Sequence, residues 1–120
     1  MNIPFLEKSI ENLQVAEWCL EQGHFNACVN RSYYAMFQAV LVALIYHGVT
    51  KPDESHSHEW VQATFASELV WKKKIFPGYQ SHLMNIQRRR NTADYESQRI
   101  SRKHAERSFK MSKELIDKIM

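Results

Sequence analysis

Apolar residues recur every three or four positions along most of the chain, the period of helices with one buried face. Leu6, Ile10, Leu13, Ala16 and Leu20 form a first such stripe, with Glu7, Glu11, Glu17 and Glu21 largely off it. Pro4 suits a first helical turn and Gly23 a C-terminal cap. A second helix is predicted from about Phe25 to His47, stopping at Gly48, and its second half is apolar nearly all round. Such a helix has to be surrounded by others, which makes it the hub of the fold. "GVTKPDES" reads as the main loop, with Pro52 as the breaker. A third helix should open at Ser57, a good cap, and bury Val61, Phe65, Leu69 and Val70. A fourth is predicted from about Tyr79 to Tyr95, with Tyr79, Leu83, Ile86, Arg90 and Ala93 facing inward. A fifth should run from about Ser101 onward, with Ala105, Phe109, Ser112, Ile116 and Ile119 on one face. No strand pattern, repeat or low-complexity run interrupts this order. The expected fold class is all-α, an antiparallel bundle of about five helices forming a single domain over residues 1–120.

Composition agrees with few, long helices, since only three glycines and three prolines occur in 120 residues. Between Arg31 and Lys51 lie 19 residues without a formal charge, close to the length of a membrane span. Gln38 breaks that segment, and its uninterrupted apolar run extends only from Ala39 to Tyr46, so a buried hub helix is expected and no membrane partner. Cys19 and Cys28 lack any CxxC spacing and read as reduced core thiols, which points to a cytoplasmic protein. Charge is unevenly placed. Residues 1–60 carry a net −4 and residues 61–120 a net +7. A basic half suggests a surface facing a polyanion, and equally a solvated face that helps two copies align.

The stretch "RRRNTADY", residues 88–95, focuses the chemistry. Arg88 and Arg89 point away from the apolar stripe of the fourth helix, whereas Arg90 lies along it. An arginine turned inward keeps its charge and needs a partner, and Asp94 is one helical turn away. That pair reads either as a structural tie between helices or as a half-buried guanidinium ready for phosphate. On the hub helix Arg31, Tyr34, Ala35 and Gln38 share one face, a polar strip that has to be satisfied internally or at an interface. "ESHSHEW" offers His56 and His58, but no third ligand group lies near them in sequence, so a capped helix start with one packed histidine is expected and no metal. Lys72, Lys73 and Lys74 end the third helix, where cations suit the helix dipole. With Arg88, Arg89, Arg99, Arg102 and Lys103 they could also form a non-specific polyanion-binding face. There is no phosphate-cradling glycine loop, no nucleophile elbow and no zinc-finger spacing. No cofactor is indicated.

"NRSYYAMFQAV", "HEWVQATF" and "RNTADY", in that order, resemble the HEPN-domain superfamily, in its branch of short stand-alone prokaryotic proteins. The matching positions are Arg31, Tyr33, Tyr34, Ala35, Phe37, His58, Phe65, Arg90, Ala93, Asp94 and Tyr95. The resemblance implies an antiparallel helical bundle, usually a homodimer. It also implies a place in toxin–antitoxin or defence modules, as a metal-independent ribonuclease, as a nucleotide binder, or as a partner of a small nucleotidyltransferase. Active ribonucleases of this superfamily carry an arginine, four to six residues beginning with a polar one, and then a histidine acting as general acid/base. Here Arg90 and Asn91 match the start, but the positions that require histidine hold Tyr95, Glu96 and Ser97. Arg99 to His104 repeats the spacing outside the expected place. Asp94, Tyr95 and His58 are the candidates to replace the missing group, although a carboxylate beside an arginine is a weak base.

The expectation is therefore RNA or nucleotide binding through Arg31, Tyr34, His58, Arg88, Arg89 and Arg90 in a cleft of a homodimer, with Arg90, Asp94 and Tyr95 as the catalytic candidates. The rival expectation is a non-catalytic dimer that docks a nucleotidyltransferase-type partner.

Overall fold

The computed structural model describes residues 3–95 and 99–120. Helix α1 spans Ile3–Glu21, α2 Phe25–Tyr46, α3 His58–Thr64, α4 His82–Tyr95 and α5 Arg102–Ile119. α3 passes without a break into a π-helical segment, Phe65–Lys72. No strand occurs among the described residues. The body measures 38 × 24 × 23 Å, and the all-α bundle predicted from periodicity is the observed architecture.

α2 is the hub, packed by α1, α4 and α5. By length and composition Phe25–Tyr46 could cross a membrane, but 67% of its most apolar window is buried inside the bundle. Its apolar residues therefore have protein neighbours. Small residues set the approach of the flanking helices. Ser9, Ala16 and Cys19 of α1 and Ala105, Ser108 and Ser112 of α5 are all buried. Ser9 Oγ donates to the carbonyl of Ala35 at 2.7 Å, and Ser112 Oγ donates to that of Ser32 at 2.8 Å. Side chains this short let the backbones come together, and the hydroxyls of Ser9 and Ser112 find carbonyl acceptors across the seams. Cys19 and Cys28 are both free and buried. Burial pushes the Cys28 thiol up to about 11, the mark of an unreactive core cysteine.

Two expectations need correcting. On α1 the inward face is centred on Ser9, Ala16 and Cys19, and Ile10 is left 40% exposed. The small residues win because α1 lies close against α2, where a longer side chain would hold it off. The fourth helix starts at His82 instead of Tyr79. Pro77 and Gly78, the latter at φ +86°, turn the chain first. Tyr79 instead leans on the main core and donates its hydroxyl to Glu114 at 2.9 Å.

The third segment follows its predicted stripe, Val61, Phe65, Leu69 and Val70, all buried. The π-helical turn takes more residues per revolution, which brings Leu69 and Val70 inward together. Beyond it Lys74 adopts φ +54°, and the amides of Ile75 and Phe76 both donate to the Leu69 carbonyl. Ser57 and Ser101 cap α3 and α5 by accepting from the amides of Trp60 and His104.

Phe65 lies wholly buried where this segment meets α2 and Phe76. Phe65→Ala should cost about 3–5 kcal/mol, read as a lower urea midpoint, whereas Ser101→Ala should cost about 1 kcal/mol. Equal losses in the two variants would mean that the core is not centred at this junction.

Candidate functional site

Leu83 and Ile86 of α4 are buried, and the next inward position in the same register is Arg90. Packing of α4 on α2 carries the Arg90 guanidinium over the hub tyrosines, 4.9 Å from the Tyr33 ring centre and 5.5 Å from that of Tyr34. Its side chain is only 13% exposed. Arg90 Nη1 donates to the Tyr34 hydroxyl at 3.1 Å and lies 3.8 Å from Asp94 Oδ2. Nη2 donates to Asn91 at 3.2 Å, while Nε is buried without a hydrogen-bond acceptor among the described residues. A guanidinium cannot shed its charge, so aromatic faces and one longer-range carboxylate are its compensation.

Arg31 stands on the other side of Tyr34, with its guanidinium carbon 5.3 Å from the ring centre. Its acceptors are amide oxygens. Nε and Nη2 donate to Asn30, and Nη1 donates to Asn12 of α1 at 3.0 Å. Asn12 in turn donates to Gln38 at 2.8 Å, and Asn30 donates to Asp94 at 2.9 Å. One polar chain thus links α1, α2 and α4, with two guanidinium groups to one carboxylate. Of the strip expected on α2, Arg31, Tyr34 and Gln38 belong to this polar layer, half-buried, whereas Ala35 turns into the core.

His58, at the start of α3, closes one end. Its ring stacks on Phe37 at 4.5 Å and on Tyr33 at 5.5 Å, and its Nδ1 hydrogen-bonds the Tyr33 hydroxyl. Burial pushes the Tyr33 phenol well above its usual range, against the pull of the Arg90 charge. Burial and, secondly, Arg90 lower the His58 imidazole, with Glu59 opposing. The contact thus joins a phenol that keeps its proton to an imidazole biased toward its neutral form.

Other candidates are placed elsewhere. Arg88 is exposed, and Arg89 turns toward α5, donating to the His104 carbonyl at 3.1 Å. Neither joins the polar layer around Arg90. Tyr95 is 78% exposed at the end of α4, and Glu96 and Ser97 lie outside the described residues. His56 diverges from His58. It stacks on Trp60 at 3.6 Å and contacts Thr50 and Glu54. Among the described residues no cluster of three or more His, Cys, Asp or Glu is arranged to hold a metal ion. Sequence reasoning passed over Asn12 and Asn30. Their signal was an asparagine inside a helix, a poor helix former unless its side chain has a task.

The depressed imidazole fixes a sign. Folded His58 binds a proton less readily than the unfolded chain, whose histidines titrate near ~6.5. Its contribution is complete above that pH and is lost as the pH falls from there through the lower folded value, because the unfolded state takes up the proton first. His82, lowered mainly by burial, acts in the same direction. Urea midpoints measured from pH 8 to pH 5 should fall toward acid, and less steeply in His58→Gln. An unchanged slope in that variant would contradict the assignment.

A family model described as "HEPN domain" matches residues 4–120. No curated protein is significantly similar to the chain. The match takes in α1, the hub with its tyrosine pair, and the helix that carries Arg90: the chain belongs to the HEPN domain family.

Proposed function

We propose that this protein binds RNA or a nucleotide in the groove between α2 and α4, as part of a toxin–antitoxin or defence module, with a homodimer as the working form. Arg90 and Arg31 grip phosphate, Tyr34 spaces the two cations, and Asp94 and Asn30 hold Arg90 and Arg31 in place. The observation that carries the reading is Arg90 itself. Its guanidinium is nearly buried, 3.8 Å from its one carboxylate, and has an Nε with no acceptor among the described residues. Phosphate oxygens would satisfy such a group better than Asp94 does, because a charge kept from water needs close, multiple acceptors.

The match to the arginine-to-histidine pattern stops short, with Tyr95, Glu96 and Ser97 where histidine is required. That favours a second reading, in which the dimer is non-catalytic and docks a nucleotidyltransferase-type partner. His58 is a weakened substitute base, since burial and the Arg90 charge make its imidazole take up a proton less readily. Incubation with RNA in the presence of chelator separates the two. New RNA ends would assign a metal-independent endoribonuclease. Intact RNA, with a protein co-eluting stoichiometrically from the native host, would assign docking.

Purified protein should retard RNA or retain a labelled nucleotide, more weakly as salt rises. Arg90→Ala should weaken binding at least about tenfold, Arg90→Lys less so, and Arg31→Ala should act in the same direction. Melting followed by circular dichroism provides the control. If Arg90→Ala lowers only the melting temperature and the folded variant still binds normally, the guanidinium is a structural tie.

A further inference from the structure

Arg89 and Arg90 adjoin in sequence but meet different neighbours of α4. Arg90 faces α2, and Arg89 faces the start of α5. On the α5 side a cleft of ≈ 360 Å³ is lined by Arg88, Arg89, Thr92, Arg99, Ser101 and His104. Arg99 and Ile100 also line a second hollow of ≈ 620 Å³ that continues to the α1–α2 turn at His24–Ala27. Beside that turn Arg102 lies over Phe25, 4.9 Å from the ring centre. Among the described residues none of these four arginines has a carboxylate within 4.0 Å. Arg89 is half-buried, and the acceptor that meets it among the described residues is the carbonyl of His104.

An ordinary solvated basic face looks different. There, cations stand apart in water and alternate with acids. Here several point into a shared concavity, and one is partly withdrawn from water beside a like charge. Burial, and after it the Arg107 charge, lower the Arg89 guanidinium below its usual value. That combination is unfavourable by itself, and a bound anion would offset it.

We infer that the α4–α5 cleft is a second phosphate subsite, and that the ligand of this protein is a single RNA strand crossing α4, with one phosphate at Arg90 and others at Arg88, Arg89 and Arg99. The inference rests on the proposed role of the α2–α4 groove and narrows it, since a mononucleotide could occupy one subsite but not both. No base-specific contact is implied. Arginines on backbone phosphates position a strand without reading its sequence.

The test uses the full chain, with AMP and labelled oligoadenylates of two to twelve nucleotides as probes. Affinity should rise with length, and the salt dependence should steepen by roughly 0.7 in log–log slope for each added phosphate contact. Arg88 and Arg99 are exposed and unpaired among the described residues, so R88Q/R99Q should fold normally. It should lose about tenfold or more on the twelve-mer and markedly less on AMP. Equal affinity and slope for AMP and the twelve-mer, both dependent on Arg90, would overturn the second subsite while the groove stands. So would a twelve-mer that binds R88Q/R99Q as tightly as the parent. Binding that ignores Arg90→Ala would overturn the groove and, with it, the strand spanning both sites. No binding of any probe would overturn both proposals together.

Discussion

A positive charge that cannot be neutralised sits between two helices, and much of the molecule is arranged around keeping it there. Arg90 occupies the inward position of α4 where the spacing of Leu83 and Ile86 would call for another apolar side chain. Its aliphatic stem suits that position, but its guanidinium has to be accommodated. The tyrosine pair of α2 supplies two ring faces and a hydroxyl, and Asp94 supplies a carboxylate one turn on. The hub therefore has to present Tyr33 and Tyr34 at a fixed height. It does so because α1 and α5 hold α2 closely through serines and alanines.

The same constraint separates scaffold from site. Tyr33 is fully buried, with its hydroxyl spent on His58, so it is scaffold with an aromatic face turned to the cation. Tyr34 is half-exposed and stands between two guanidinium groups, so it belongs to the groove. Neighbours in sequence thus have different duties, as do Arg89 and Arg90. In each case one helical step of about 100° turns a side chain toward another partner. A short motif of consecutive similar residues can in this way feed two separate surfaces.

Charge is organised at two levels. Close contacts are few, and the ion pairs of Lys72 with Glu68 and of Lys113 with Asp117 are single i,i+4 surface pairs, a kind that contributes little to stability. The larger effect is the collective one. The acidic first half sits mainly on α1, while the uncompensated arginines gather where α4 meets the start of α5. That concentration makes the local potential positive on this side of the molecule.

Much of this could be read from residue order. Helix number and type followed from apolar periodicity, and the hub from a helix with no polar face. The inward turn of Arg90 followed from the register of Leu83 and Ile86, which is a local property. Its pairing with Asp94 was legible for the same reason, since both lie on one helix. What the chain order left open depends on distant segments. Nothing local says that Asn12 of α1 will accept from Arg31, that His58 will engage Tyr33, or that Ile10 will be left outside while Ser9 goes in. Those outcomes follow from how closely whole helices approach and from which rotation buries the smaller side chains. Likewise the three arginines of the α4–α5 cleft are scattered over residues 88–99. Helical period predicts where a side chain points along its own axis, but only packing between helices decides what it meets.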